Sequence, residues 1–74
     1  MNEMLDELIK TYLRSTPGLS AQRILEIYKK DTNHQIVIDR FHMYLRKLKR
    51  NGILINKGNR WYLNMKSMQK QRNY

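Results

Sequence analysis

Two β-prone runs near the end of the chain, Ile53-Leu54-Ile55 and Arg60-Trp61-Tyr62-Leu63, flank Asn56-Lys57-Gly58-Asn59. A Gly/Asn turn between apolar segments is the signature of a β-hairpin. A two-stranded hairpin is barely stable in water, so this one must cover another element. The chain before it carries helical periodicity, so the surface it covers has to be helical. Trp61 and Leu63 alternate onto one face of their strand and are assigned to the core.

Leu5, Leu8, Ile9, Tyr12 and Leu13 recur at helical spacing and predict a first helix over about 3–14. Asn2 is placed to cap it, and Glu3, Asp6 and Glu7 complement the positive end of its dipole. Pro17-Gly18 ends that region, because proline lacks a donor N–H and glycine permits the turn. Ser20 is the expected N-cap of a second helix over about 21–30. Ile24, Leu25, Ile27 and Tyr28 form its buried stripe, and Leu19 and Ile24 are spaced as a hydrophobic staple. The polar stretch Asp31 to Gln35 is read as a turn, and Ile36-Val37-Ile38 as either a short extended lead-in or the first turn of a third helix. From there Ile38, Phe41, Tyr44, Leu45 and Leu48 cluster on one face, and Asn51-Gly52 closes the helix. Tyr12, Tyr28, Phe41 and Trp61 are assigned to the core. The expected organisation is one domain over 1–64 and a basic tail over 65–74, either an arm or a short helix.

Charge divides the chain. The first 39 residues hold five Lys/Arg and all six acids; Arg40 to Tyr74 holds ten Lys/Arg and no acid. A positive half this unbalanced repels itself, which points to a polyanionic partner, nucleic acid before an anionic membrane. The 74 residues contain no cysteine, so neither disulfides nor a thiolate metal site supports a core whose net stability at this size is roughly 3–5 kcal/mol. No apolar run approaches the length of about 20 residues that spans a bilayer. The acidic N-terminus lacks the basic region of a signal peptide. A cytoplasmic, nucleoid-associated protein is the expectation.

Leu45-x-x-Leu48-x-x-x-Gly52-Ile53-Leu54, followed by a turn and Trp61-Tyr62-Leu63, resembles the end of the recognition helix and the wing of a winged helix-turn-helix domain. Leu19-Ser20-Ala21 through Tyr28 resembles its second helix. The resemblance covers about residues 3–64 and is one of fold pattern, shared by many small prokaryotic and viral transcription regulators, including those of phages and other mobile elements. It implies a mainly α fold with a small β-hairpin: three helices plus a two-stranded wing.

Geometry at 100° per residue places Asp39, Met43, Arg46, Lys47 and Arg50 opposite the apolar stripe of the third helix, with Arg40, His42 and Lys49 on its flanks. By the resemblance, the N-terminal part of that helix reads bases in the DNA major groove, which makes Asp39, Arg40, His42 and Met43 candidates. Arg46 is a candidate for either a base or a phosphate. Arg40 or Arg46 can bond guanine O6 and N7 together, Asp39 can accept from cytosine N4, and Met43 can touch a thymine methyl. Asp39 is equally explained as a partner of the helix dipole. Lys47, Lys49 and Arg50, farther along, suit phosphate. At the wing Lys57, Asn59 and Arg60 suit the backbone or a narrow minor groove. Ser20, Gln22 and Arg23 at the start of the second helix, with Thr32, Asn33 and Gln35 from the turn, are further backbone candidates.

No enzyme is expected. A Gly-rich phosphate loop, metal-ligand spacing and a Ser–His–Asp set are all missing from the sequence, and no cofactor, metal or small-molecule ligand is anticipated. The expected partner is double-stranded DNA, bound by a homodimer joined through the first helix or the tail. The competing expectation is a protein-interaction adaptor of the same fold, such as a phage or mobile-element protein that binds a host factor without specific DNA contact.

Overall fold

The computed structural model describes residues 3–65. They form helices α1 (Glu3–Ser15), α2 (Ala21–Thr32) and α3 (Ile38–Arg50), and strands β1 (Leu19–Ser20), β2 (Leu54–Lys57) and β3 (Arg60–Leu63). The fold is mainly helical with a small antiparallel sheet in the order β1-β3-β2. The capping role assigned to Asn2 and most of the tail lie outside the described residues.

The third strand corrects the two-stranded expectation. Leu19 pairs with Trp61 and Ser20 with Arg60. Gly18, at φ 85°, turns the chain after Pro17, and its N–H donates to the Trp61 carbonyl at 2.9 Å. The outer edge of β3 would otherwise leave backbone groups unpaired. A Leu-Ser dipeptide has no strand pattern of its own, so the pairing is a tertiary effect. Ser20 then serves twice: it ends β1, and its Oγ accepts from the Arg23 N–H at 3.2 Å as the N-cap of α2.

α2 continues to Thr32, two residues past the expected end. The Thr32 hydroxyl donates to the Tyr28 carbonyl at 2.8 Å, and Asn33 adopts the left-handed conformation (φ 61°) with its N–H on the Lys29 carbonyl. α3 closes as the Asn51-Gly52 pair predicts. The Gly52 N–H bonds the Lys49 carbonyl, and the Ile53 N–H bonds the Leu48 carbonyl, which is the Schellman pattern with glycine at its left-handed position.

At the other end of α3 the inward assignment of Ile38 is wrong. Ile38 is 38% exposed. It opens the helix at the rim of the core, and Ile36, from the extended lead-in, packs against the core instead. The expected turn of the hairpin also shrinks. Lys57 pairs with Arg60, so Asn56 and Lys57 belong to β2, and only Gly58 and Asn59 form the loop. Both have positive φ, 48° and 65°, the two-residue geometry whose twist matches that of the strands. Nothing lies within 4 Å of a Cβ built on Gly58. Gly58→Val therefore meets only conformational strain, and urea unfolding is expected to show a loss of about 1–2 kcal/mol.

The core joins Leu5, Ile9 and Leu13 of α1, Ile24, Leu25 and Tyr28 of α2, Phe41, Leu45 and Leu48 of α3, and Leu54, Trp61 and Leu63 of the sheet. Phe41, Ile9, Ile24 and Leu45 are fully buried. Leu8, Ile27, Tyr12 and Tyr44 are half-buried rather than core residues. The two tyrosines act as ties: Tyr12 donates to the Asp31 carboxylate of α2 at 2.7 Å, and Tyr44 donates from α3 to Asp6 of α1. Burial first, and then the carboxylate partner, pushes both phenol pKa values up, so both hydroxyls remain donors. Among the described residues no helix is long and apolar enough to cross a membrane.

Candidate nucleic-acid interface

One groove joins three elements. His42, Arg46 and Lys49 of α3 face Ser20, Ala21 and Gln22 at the start of α2, and Asn56, Asn59 and Trp61 of the hairpin close the third side, around about 370 Å³. The spacing of His42, Arg46 and Lys49 places them on one strip of the helix, one turn apart. The Schellman end of α3 feeds Ile53 directly into β2, and this short connection sets the hairpin beside the helix.

A second groove, about 510 Å³, lies across the hairpin and is lined by Gly18, Leu19, Ser20, Arg23, Gly58, Asn59 and Arg60. Ser20 and Asn59 line both grooves, so the two form a continuous surface around the hairpin turn. Arg60 Nη1 donates to the Gly18 carbonyl at 3.1 Å. That bond fixes the guanidinium against the turn before β1 and leaves its remaining donors available. Asn56 Nδ2 donates to the Arg60 carbonyl at 3.1 Å, across the hairpin.

The candidates divide by position. Arg40, Gln35 and Lys47 lie on the opposite flank of α3, in a groove against α1. Asp39, Met43 and Arg50 are exposed on α3, and Lys57 is exposed beside the turn. Thr32 and Asn33 are engaged in ending α2: the Thr32 hydroxyl both donates to the Tyr28 carbonyl and accepts from the His34 N–H at 3.2 Å. Asn56 is absent from the sequence candidates because the flanking apolar runs place it in the turn, whereas it belongs to β2. Its signal is the period of two: Asn56 follows Leu54 on the same face of β2, one step beyond the edge of the core, where a polar residue replaces an apolar one.

Electrostatics favour an anionic occupant. Lys10–Glu7 at 3.3 Å and Arg23–Glu26 at 3.1 Å are ion pairs between neighbours on one helix. Exposed pairs of this kind are worth about 0–1 kcal/mol and release their partners easily. Arg46, Lys49 and Arg50 have no carboxylate partner among the described residues, so the strip of α3 facing the groove and its end carry uncompensated positive charge. The arrangement can supply a phosphate backbone with arginine and lysine, and base edges with a planar guanidinium, an imidazole and carboxamides.

Comparison with protein-family models, curated proteins and solved structures finds no match for the chain.

Proposed function

We propose that the chain is a sequence-specific double-stranded DNA-binding protein of the winged helix-turn-helix kind, a transcriptional regulator that acts on the nucleoid in the cytoplasm. The observation that carries this reading is the shared groove of α2, α3 and the hairpin, with Arg46 and Lys49 facing into it without carboxylate partners. An α-helix with side chains is about 10–12 Å across, which suits the B-DNA major groove of about 12 Å. The 13 residues of α3 span about 20 Å, enough to follow the groove across several base pairs.

In this reading α3 enters the major groove with Asp39, His42, Met43 and Arg46 toward base edges. Lys49 and Arg50 hold phosphate. The hairpin is the wing: Lys57 reaches the backbone or the minor groove, and Arg60 is held in place by Gly18. The start of α2 adds Ser20, Gln22 and Arg23 against the opposite strand. Arg40, on the other flank, is a poorer base reader than the resemblance implied, and Lys47 beside it a poorer phosphate clamp.

Titration into random duplexes and into a selected-site library at several salt concentrations tests the reading. Random duplexes should bind with a log–log salt slope near about −5, as for about six neutralised phosphates, and the library should enrich a short site. A shallow slope with no enriched site, together with recovery of a protein partner, would favour the adaptor reading.

A further inference from the structure

We infer that the basic C-terminal segment, with Lys66, Lys70 and Arg72, is a third nucleic-acid contact: an arm that neutralises backbone phosphates beyond the last turn of α3. The inference rests on the DNA-binding reading and extends the interface past the residues assigned to it above.

The fold fixes where the segment departs. The Asn64 N–H donates to the Ile53 carbonyl and its Nδ2 to the Gly52 carbonyl, each at 2.9 Å. Two bonds therefore tie the end of β3 to the connection that leaves α3. Met65, next in the chain, is 56% exposed, so the chain has left the core at this point. The last turn of α3 holds Lys49 and Arg50. Lys66, Lys70 and Arg72, which lie outside the described residues, follow Asn64 by two, six and eight positions. A chain spans at most about 3.6 Å per residue, so Lys66 branches within about 7 Å of Asn64 and Arg72 within about 29 Å.

The protein itself offers these cations little to pair with. Asp6 accepts from Tyr44 and Asp31 from Tyr12, while Glu7 is paired with Lys10 and Glu26 with Arg23. Glu3 and Asp39 stand in the first turns of α1 and α3, where acids complement the helix dipole. Asp39 is about 16 Å along the axis from Arg50. The backbone acceptors near the departure point are engaged as well. The carbonyls of Lys47, Leu48 and Lys49 close the end of α3, and those of Gly52 and Ile53 hold Asn64. Like charges gathered at one place repel, so this end of the molecule calls for a polyanion. A duplex carries one negative charge per about 1.7 Å of its axis, enough for all three cations within the reach of the segment. The strand that Lys49 and Arg50 hold in the DNA-binding reading continues past the end of α3, where the segment begins.

Anisotropy titrations of the full chain into a duplex bearing the enriched site, at several salt concentrations, test the inference. The wild type is compared with a neutral variant, combining Lys66→Gln, Lys70→Gln and Arg72→Gln, and with a charge-keeping one, combining Lys66→Arg, Lys70→Arg and Arg72→Lys. Both should melt with the wild type, because the core cluster ends at Leu63. The neutral variant should enrich the same site but lose about 3 from the magnitude of the log–log salt slope, about 0.9 for each phosphate released. The charge-keeping variant should retain the slope. Hydroxyl-radical footprints should run past the α3 end by up to about eight base pairs and shorten in the neutral variant. A neutral variant with unchanged slope and footprint overturns the arm and leaves the DNA-binding reading intact, and so does an equal loss in both variants. A wild-type chain that binds no duplex overturns that reading, and the arm with it.

Discussion

Phe41→Ala should leave the chain without a cooperative thermal transition. Phe41 is fully buried in the one core to which all three helices and the sheet contribute. Removing a buried phenylalanine side chain costs about 3–5 kcal/mol, the transfer free energy plus the cavity left behind. A domain of this size holds only about 3–5 kcal/mol in reserve, and no disulfide contributes here. Circular dichroism against temperature checks this, with Met43→Ala as the control. Met43 is 63% exposed, and its truncation should move stability by no more than about 0.5 kcal/mol. A Phe41→Ala variant that melts within a few degrees of the wild type would show that the core does not converge on this ring.

The second large effect concerns binding. Arg46→Ala should weaken binding to the preferred DNA site by about 1–3 kcal/mol, roughly five- to 150-fold, and relax the base preference at one position. The reasoning is positional. Arg46 stands on the strip of α3 facing Ser20, Gln22 and Asn59, it has no carboxylate partner among the described residues, and its fork can bond both acceptors of a guanine. Lys57→Ala offers the contrast. A single ammonium beside the hairpin turn should contribute to every sequence alike, lowering affinity uniformly and reducing the salt slope by about 1. Competition binding with site variants separates the two. Equal losses on all sequences for Arg46→Ala would move that residue from the bases to the backbone.

The helices were legible because their signals are local. Ser20 announces the start of α2, Asn51-Gly52 the end of α3, and the apolar positions of α1 repeat every turn. What escaped depends on distant partners. β1 is two residues long and exists because β3 offers it an edge; no pattern in Leu19-Ser20 records that. The exposure of Ile38 was hidden for a similar reason. It fits the apolar stripe by angle, but the core stops one turn later at Phe41, and Ile36 covers the space from outside the helix. At the candidate site, angular position alone separated the exposed face of α3 from its buried stripe. It could not divide the flanks, because which of them meets the hairpin and which meets α1 is decided by packing. His42 and Lys49 therefore emerged on one groove and Arg40 on the other, although the sequence grouped Arg40 and His42 together.

The most direct test of the central claim is a map of the contacted surface. Amide and side-chain resonances of the isotope-labelled chain can be followed by NMR as a duplex bearing the enriched site is added. The account predicts shifts concentrated on the exposed face of α3, on Ser20 to Arg23 and on Lys57 to Arg60, with the middle of α1 left in place. Shifts confined to α1, or spectra unchanged at low salt with duplex in excess, would contradict it.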